Sequence, residues 1–166
     1  MVVQSILKIP RILFTVLTPR KHSKRALIVD DCSMTRHLMR EVVEKEGFEC
    51  EEAANAFEAA KWFEDHEADL VTTDIHQGWR MEENGEWIPR PTGLELVEAL
   101  ANRKNRKPPI MIVASGSIYF DPTYSERARK AGAKGLFCKP WDRKEFLTVI
   151  RDAFNLKQDF VETQTE

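Results

Sequence analysis

The sequence has no CxxC pair, no glycine-rich GxGxxG after an apolar run, no basic excess and no uninterrupted membrane-length apolar stretch. Each absence removes a class of function. Cys32, Cys50 and Cys138 are odd in number and far apart, so neither a disulfide framework nor a tetrahedral zinc site is expected. Free thiols in a reducing cytoplasm are the plain reading. Lys and Arg total 25 against 27 Asp and Glu, with a net charge of -2 and a pI near 6.1. Direct nucleic-acid binding is disfavoured, because phosphate contacts need a basic surplus. The missing GxGxxG argues against a dinucleotide-binding domain. No internal repeat or low-complexity tract is present.

What remains is an ordinary globular composition, 42% hydrophobic and 31% charged with a mean hydropathy of -0.44. A chain of 166 residues holds one compact domain and a short appendage. The charge is unevenly placed. The first 25 residues carry Lys8, Arg11, Arg20, Lys21, Lys24 and Arg25 with no acid, so they hold +6 against -8 on the rest. Residues 1–24 form a basic, apolar N-terminal extension whose apolar run is broken by Lys8, Pro10 and Arg11, short of the roughly 18 residues that cross a bilayer. It lacks the small-residue cleavage site of a secretory signal. The expectation is a docked or surface-lying segment, with membrane-surface contact a lesser alternative.

From residue 25 onward short apolar runs alternate with helical patterns. Ala26-Leu27-Ile28-Val29, Leu70-Val71-Thr72-Thr73, Ile110-Met111-Ile112-Val113 and Leu136-Phe137-Cys138 are uninterrupted, as strands covered on both faces require. Residues 48–52 are a weaker, edge-like strand. Met34, Leu38 and Val42 repeat at helical spacing and stop at Gly47; Phe57, Ala60 and Phe63 follow Asn55, a good N-cap. Further helices are predicted over 93–102, 124–131 and 142–154, with Phe146, Ile150 and Phe154 sharing a face. The fold class is therefore α/β: a five-stranded parallel sheet with helices on both faces. The domain spans 25–154, and 155–166 form a C-terminal tail.

The acids carry the functional clue. Asp30 and Asp31 close the first strand and Asp74 closes the third, and ligands of such sheets gather beyond the carboxyl ends of the strands. Three like charges in one pocket repel unless a cation neutralises them, and an all-oxygen cluster suits Mg2+. Lys139 ends the last strand at the same rim, and Ser115 adds a hydroxyl just past the fourth. Metal, carboxylate nucleophile, ammonium and hydroxyl are the parts that accept a phosphoryl group.

Leu27-Ile28-Val29-Asp30-Asp31, Thr73-Asp74, Ser115-Gly116, Ala131-Gly132-Ala133 and Cys138-Lys139-Pro140-Trp141 occur in this order. Together they resemble the receiver domain of two-component response regulators, of the flavodoxin-like, chemotaxis-regulator type, over about residues 25–154. The resemblance implies that Asp74 is the phosphoacceptor and that Asp30 and Asp31 bind Mg2+ directly or through water. It also implies that the backbone carbonyl of His76 completes the metal site and that Ser115 and Lys139 contact the phosphoryl oxygens. In the family the bond before the residue matching Pro140 is usually cis.

The chain departs from that pattern. His76-Gln77-Gly78 stands where a Met-Pro pair is usual, and Gly93 lies 19 residues after Asp74, about 11 more than the family spacing. An inserted loop is expected over about 76–91. Leu136 occupies the position where the family often has a switching Tyr or Phe. Counting forward from Pro109 puts Ala114 at the hydroxyl position, whereas Ser115-Gly116 matches a common variant; Ser115 is preferred. Within the insertion, Asn84-Gly85 signals a hairpin turn that would set Met81 opposite Ile88 and Glu83 opposite Glu86, with a mobile surface loop as the alternative.

Three functions compete. The leading one is a stand-alone receiver that takes phosphate from a histidine kinase or histidine phosphotransfer protein and signals to a downstream protein target, since 155–166 is too short for an output domain. The second is a receiver-shaped adaptor that is not phosphorylated. The third, an aspartyl phosphatase, would require a second acid at position 76, where the chain has His76. In the leading reading the chain is a self-phosphorylating and autodephosphorylating switch and not a classical enzyme.

Overall fold

The structure, a computed structural model, describes residues 23–77, 79–81, 85, 87–89, 92–116 and 121–156. The extension before residue 23 and the tail beyond 156 lie outside these residues. In chain order the elements are β1 (Lys24–Val29), α1 (Ser33–Glu44), β2 (Phe48–Ala53), α2 (Ala56–Asp65), β3 (Leu70–Thr73), β4 (Trp79–Met81), β5 (Trp87–Pro89), α3 (Gly93–Ala101), β6 (Ile110–Ala114), α4 (Pro122–Lys130), β7 (Gly135–Phe137) and α5 (Arg143–Phe154).

Five strands form a parallel sheet in the order β2-β1-β3-β6-β7. Residues alternate faces along each strand, so β1 sends Leu27 and Val29 into one core and Ala26 and Ile28 into the other. The first core is closed by Ala59 and Phe63 of α2, Leu94 and Val97 of α3 and Ala128 of α4. The second is closed by Met39 and Val43 of α1 and Phe146 and Ile150 of α5. The expected three-layer architecture is present. β1 connects to β2 on one side and neighbours β3 on the other, so the strand order reverses there and opens a crevice at the carboxyl ends.

Local chemistry fixes the helix starts. Asn55 accepts from the Glu58 N–H at 3.0 Å, Thr92 and Glu95 form a reciprocal capping box, and Asp142 accepts from the Glu145 N–H. Each satisfies a donor that the first turn would leave orphaned.

Two helical faces differ from expectation. In α1 the buried residues are Met39, Val42 and Val43, while Met34 is 64% and Leu38 49% exposed. In α2 they are Ala56, Ala59 and Phe63, while Phe57 and Ala60 face solvent. Spacing 57/60/63 drifts off a 3.6-residue helix face, whereas 56/59/63 stays on it. In α5 the expected face is the observed one, and Phe154 packs edge-on against Phe48 at 5.0 Å.

The insertion does form a hairpin, with β4 and β5 antiparallel and Gly85 at positive φ. Its register is one residue from the expected one: Met81 pairs with Trp87 and Arg80 with Ile88. Glu83 and Glu86, the expected repelling pair, lie outside the described residues. β1 begins at Lys24, one residue before the expected boundary, and the Ser23 hydroxyl donates to Glu49.

Candidate functional site

Asp30 and Asp31 follow β1, Asp74 follows β3, and Lys139 follows β7 by two residues. All four meet at the carboxyl rim. One oxygen from each of Asp30, Asp31 and Asp74 lies within 4.8 Å of the others. Lys139 Nζ donates to Asp30 Oδ2 at 2.5 Å and also to Asp74 Oδ2. Asp30 is fully buried, Asp74 is nearly so, and Asp31 is exposed. The cluster therefore runs from a dry inner carboxylate to a wet outer one.

Burial pushes the Asp30 carboxyl up, against the hydrogen bonds from Lys139 and the Cys32 N–H that favour its anion. Burial would pull Lys139 down, but its bonds to Asp30 and Asp74 outweigh that and hold it above the ordinary lysine range. The lysine stays charged because it sits between two acids. One ammonium against three carboxylates leaves excess negative charge facing solvent at Asp31. That donor set is all oxygen and incompletely neutralised, which fits Mg2+.

The Asp30 and Asp74 carboxylates are each held by a backbone N–H two residues on. Asp30 Oδ1 accepts from the Cys32 N–H at 2.9 Å, and its carbonyl accepts from Arg36 at 2.7 Å, whose Nε also binds Glu52. Asp74 Oδ1 accepts from the His76 N–H at 3.1 Å. The His76 ring is exposed and meets Tyr124 of α4 edge-on at 5.4 Å. The bond between Lys139 and Pro140 is cis. Trp141 stacks on Phe146 at 4.8 Å, packing beside the site.

Register and burial separate the two candidates for the hydroxyl position. The β3–β6 ladder ends at Thr73 opposite Val113; one step further sets Asp74 level with Ala114, and Ser115 a residue beyond. Ala114 packs into the apolar cluster with Ile112 and Phe146. Ser115 is buried, its N–H donates to the Phe137 carbonyl, and its own carbonyl accepts from the Lys139 N–H at 3.4 Å. Its backbone is thus tied to the strand end that presents Lys139. Leu136, at the aromatic-switch position, pairs with Val113 and packs against the core of α2, α3 and α4.

Comparison with known proteins shows the family. The family model for the response regulator receiver domain matches residues 26–151. The chain belongs to the receiver domain family. Among curated relatives, the chemotaxis protein CheY of Bacillus subtilis is 30% identical over 134 residues, covering 79% of this chain and 98% of that protein. CheY of Halobacterium salinarum is 28% identical over 130 residues, covering 78% and 96%. The polar-differentiation response regulator DivK of Brucella anthropi is 26% identical, covering 77% and 94%. A CheY-like receiver domain structure from Methanospirillum hungatei superposes with a TM-score of 0.64 at 28% identity, covering 80% of this chain and 94% of that one. This receiver therefore belongs to two-component signalling. No helix among its described residues is long and apolar enough to cross a membrane.

Three residues beyond the predicted set contribute to the receiver's site. Gln77 is 3% exposed and makes three hydrogen bonds, to Thr73, Asp74 and Ala56. Gly93 packs so closely that a Cβ there would lie 1.7 Å from the Asp74 carbonyl oxygen. Arg36 links Asp30 to β2. Gly93 was legible as the end of the loop. The other two are polar residues with no periodic signal.

Proposed function

We propose that this receiver accepts a phosphoryl group from phosphohistidine onto Asp74 and signals by protein contact in a phosphorelay. The observation that carries the reading is Lys139 bridging Asp30 and Asp74, with Asp31 beside them at the solvent edge. Asp30, Asp31 and Asp74, with the His76 carbonyl, would hold Mg2+, which supplies charge neutralisation for the transferring group. An Asp74 carboxylate oxygen attacks phosphorus, the P–N bond breaks, and the imidazole nitrogen leaves with the bonding pair and takes up a proton. Lys139 exchanges Asp74 Oδ2 for a phosphoryl oxygen, and the Ser115 hydroxyl donates to another.

Partners are a histidine kinase or histidine phosphotransfer protein and a downstream protein target. Met34 and Leu38 stand exposed on α1, and Leu38 lines a groove with Val42, Lys139, Pro140, Trp141 and Arg143. An apolar surface beside the acceptor suits a docking donor protein. The protein acts in the cytoplasm, and residues 1–24 offer a basic, apolar segment for a surface contact, a membrane surface being the lesser alternative.

Intact mass after incubation with Mg2+ and acetyl phosphate tests the reading. One added phosphoryl group is expected, lost in EDTA and in Asp74→Asn. A wild type that labels with neither acetyl phosphate nor a phosphohistidine donor makes the chain a phosphorylation-independent adaptor, the reading that Leu136 and the altered acceptor loop favour.

A further inference from the structure

Residues 74–77 form a closed turn. The Asp74 carboxylate accepts from the backbone N–H of His76, and the Gln77 amide returns to the backbone of Asp74, donating from Nε2 to its carbonyl at 2.9 Å. The same Nε2 donates to Thr73 Oγ1 at 2.8 Å. Thr73 Oγ1 in turn donates to the Asp74 carbonyl at 3.0 Å. On its other side Gln77 Oε1 accepts from the N–H of Ala56, the first residue of α2, at 2.5 Å. Both amide protons and the amide oxygen of a buried side chain are therefore used.

The amide joins three pieces of chain: the end of β3, the acceptor loop and the start of α2. It also stands at the stem of the insertion. The chain leaves the acceptor loop after Gln77 and returns at Gly93, whose N–H donates to the Ile75 carbonyl at 3.0 Å. With both stems fastened, the hairpin can vary without dragging Asp74.

We propose that Gln77 is a positioning residue for the metal site: its amide fixes the Asp74–His76 turn so that the Asp74 carboxylate and the His76 peptide face Mg2+ in one arrangement. The proposal rests on the metal-site reading above. A buried, fully used amide next to a ligand acts on affinity through the ligand's orientation, and outer partners of this kind change metal affinity by about tenfold or more when removed. Gln77 touches neither the phosphoryl group nor the metal, and its effect passes through Asp74 and His76.

The test is Mg2+ affinity of the full chain by calorimetry, beside thermal melting in EDTA. Gln77→Met keeps the volume and removes all three bonds; Thr73→Val keeps the β-branched shape and removes the hydroxyl that shares the Asp74 carbonyl. The expected result is Mg2+ binding weaker by about tenfold in Gln77→Met and by a smaller factor in Thr73→Val. Gln77→Glu, which still accepts from Ala56 but cannot donate to Asp74, should fail to restore affinity. A folded Gln77→Met that binds Mg2+ within about twofold of wild type overturns the proposal, whatever its melting temperature, since a purely structural amide lowers stability without touching affinity. If Gln77→Met does not fold, Thr73→Val decides, and unchanged affinity there overturns it. A wild type that binds no Mg2+ removes the metal-site reading and this proposal together, whereas unchanged variants beside a binding wild type remove only this proposal.

Discussion

Replacing Asp31 by Asn should raise the melting temperature of the metal-free protein and lower it relative to wild type once Mg2+ is added. Its carboxylate oxygen lies within 4.8 Å of those of Asp30 and Asp74. Two unit charges at that distance repel by about 0.9 kcal/mol at the dielectric constant of water, the appropriate value because Asp31 is exposed. Asp31→Asn relieves two such repulsions; offset by the Lys139 ammonium on Asp30 and Asp74 and screened by salt, the net gain is about 0.9 kcal/mol. For a domain of this size that is a rise of about 3 °C. With Mg2+ at about 100 times the wild-type Kd, binding adds about 2.7 kcal/mol to wild type and about 1.4 to a variant that binds tenfold more weakly. The difference of about 1.3 exceeds 0.9, so the order of melting temperatures reverses. Paired melts in EDTA and in Mg2+ measure both. Lys139→Met is the opposite perturbation of the same cluster: it leaves Asp30 and Asp74 facing each other without their cation, so its metal-free melting temperature should fall. An Asp31→Asn variant that melts several degrees below wild type in EDTA would refute the reasoning, because the outer carboxylate would then be satisfied by the fold and not repelled by its neighbours.

Other consequences follow from individual contacts. Gly93→Ala would place a methyl 1.7 Å from the Asp74 carbonyl oxygen and 2.3 Å from Thr73 Oγ1. Backbone on both sides must move, so chemical denaturation should show a loss of about 3 kcal/mol or more; a loss under about 1 kcal/mol would mean that α3 shifts freely. Burial pushes the Cys50 thiol up to about 12, so at pH 8 about one part in ten thousand is thiolate. Cys32 is exposed, and hydrogen bonding with Thr35 lowers its pKa. A disulfide-exchange reagent should modify Cys32 rapidly and Cys50 only on unfolding, with Cys32→Ser deleting the fast phase; a fast phase that survives that substitution contradicts the assignment.

The sequence alone determined the layered α/β plan and the acids at its carboxyl rim. Continuous runs such as Leu27-Ile28-Val29 and Met111-Ile112-Val113, bounded by helical patterns, suit a sheet covered on both sides. An acid directly after such a run falls at the carboxyl rim whatever surrounds it. Asp30, Asp31 and Asp74 were legible for that reason, and so were Asn55 as a cap and Phe146 and Ile150 as core. Helix phase was less legible. Met34/Leu38/Val42 and Met39/Val42/Val43 are both helical stripes through Val42, differing by about a 100° turn, and only packing against β1 and α5 selects the second. Hairpin register was open for a similar reason: a short polar-tipped ribbon pairs almost equally well one residue over. Tertiary structure decided the electrostatics. Lys139 reaches Asp30 across 109 residues of sequence and Asp74 across 65, and that bridge exists only because β1, β3 and β7 end at one rim. Gln77 has no pattern in one dimension at all: an isolated glutamine in a loop reads as solvated, and only the folded chain brings Ala56, Thr73 and Asp74 within reach of its amide, where burial leaves no water to take their place.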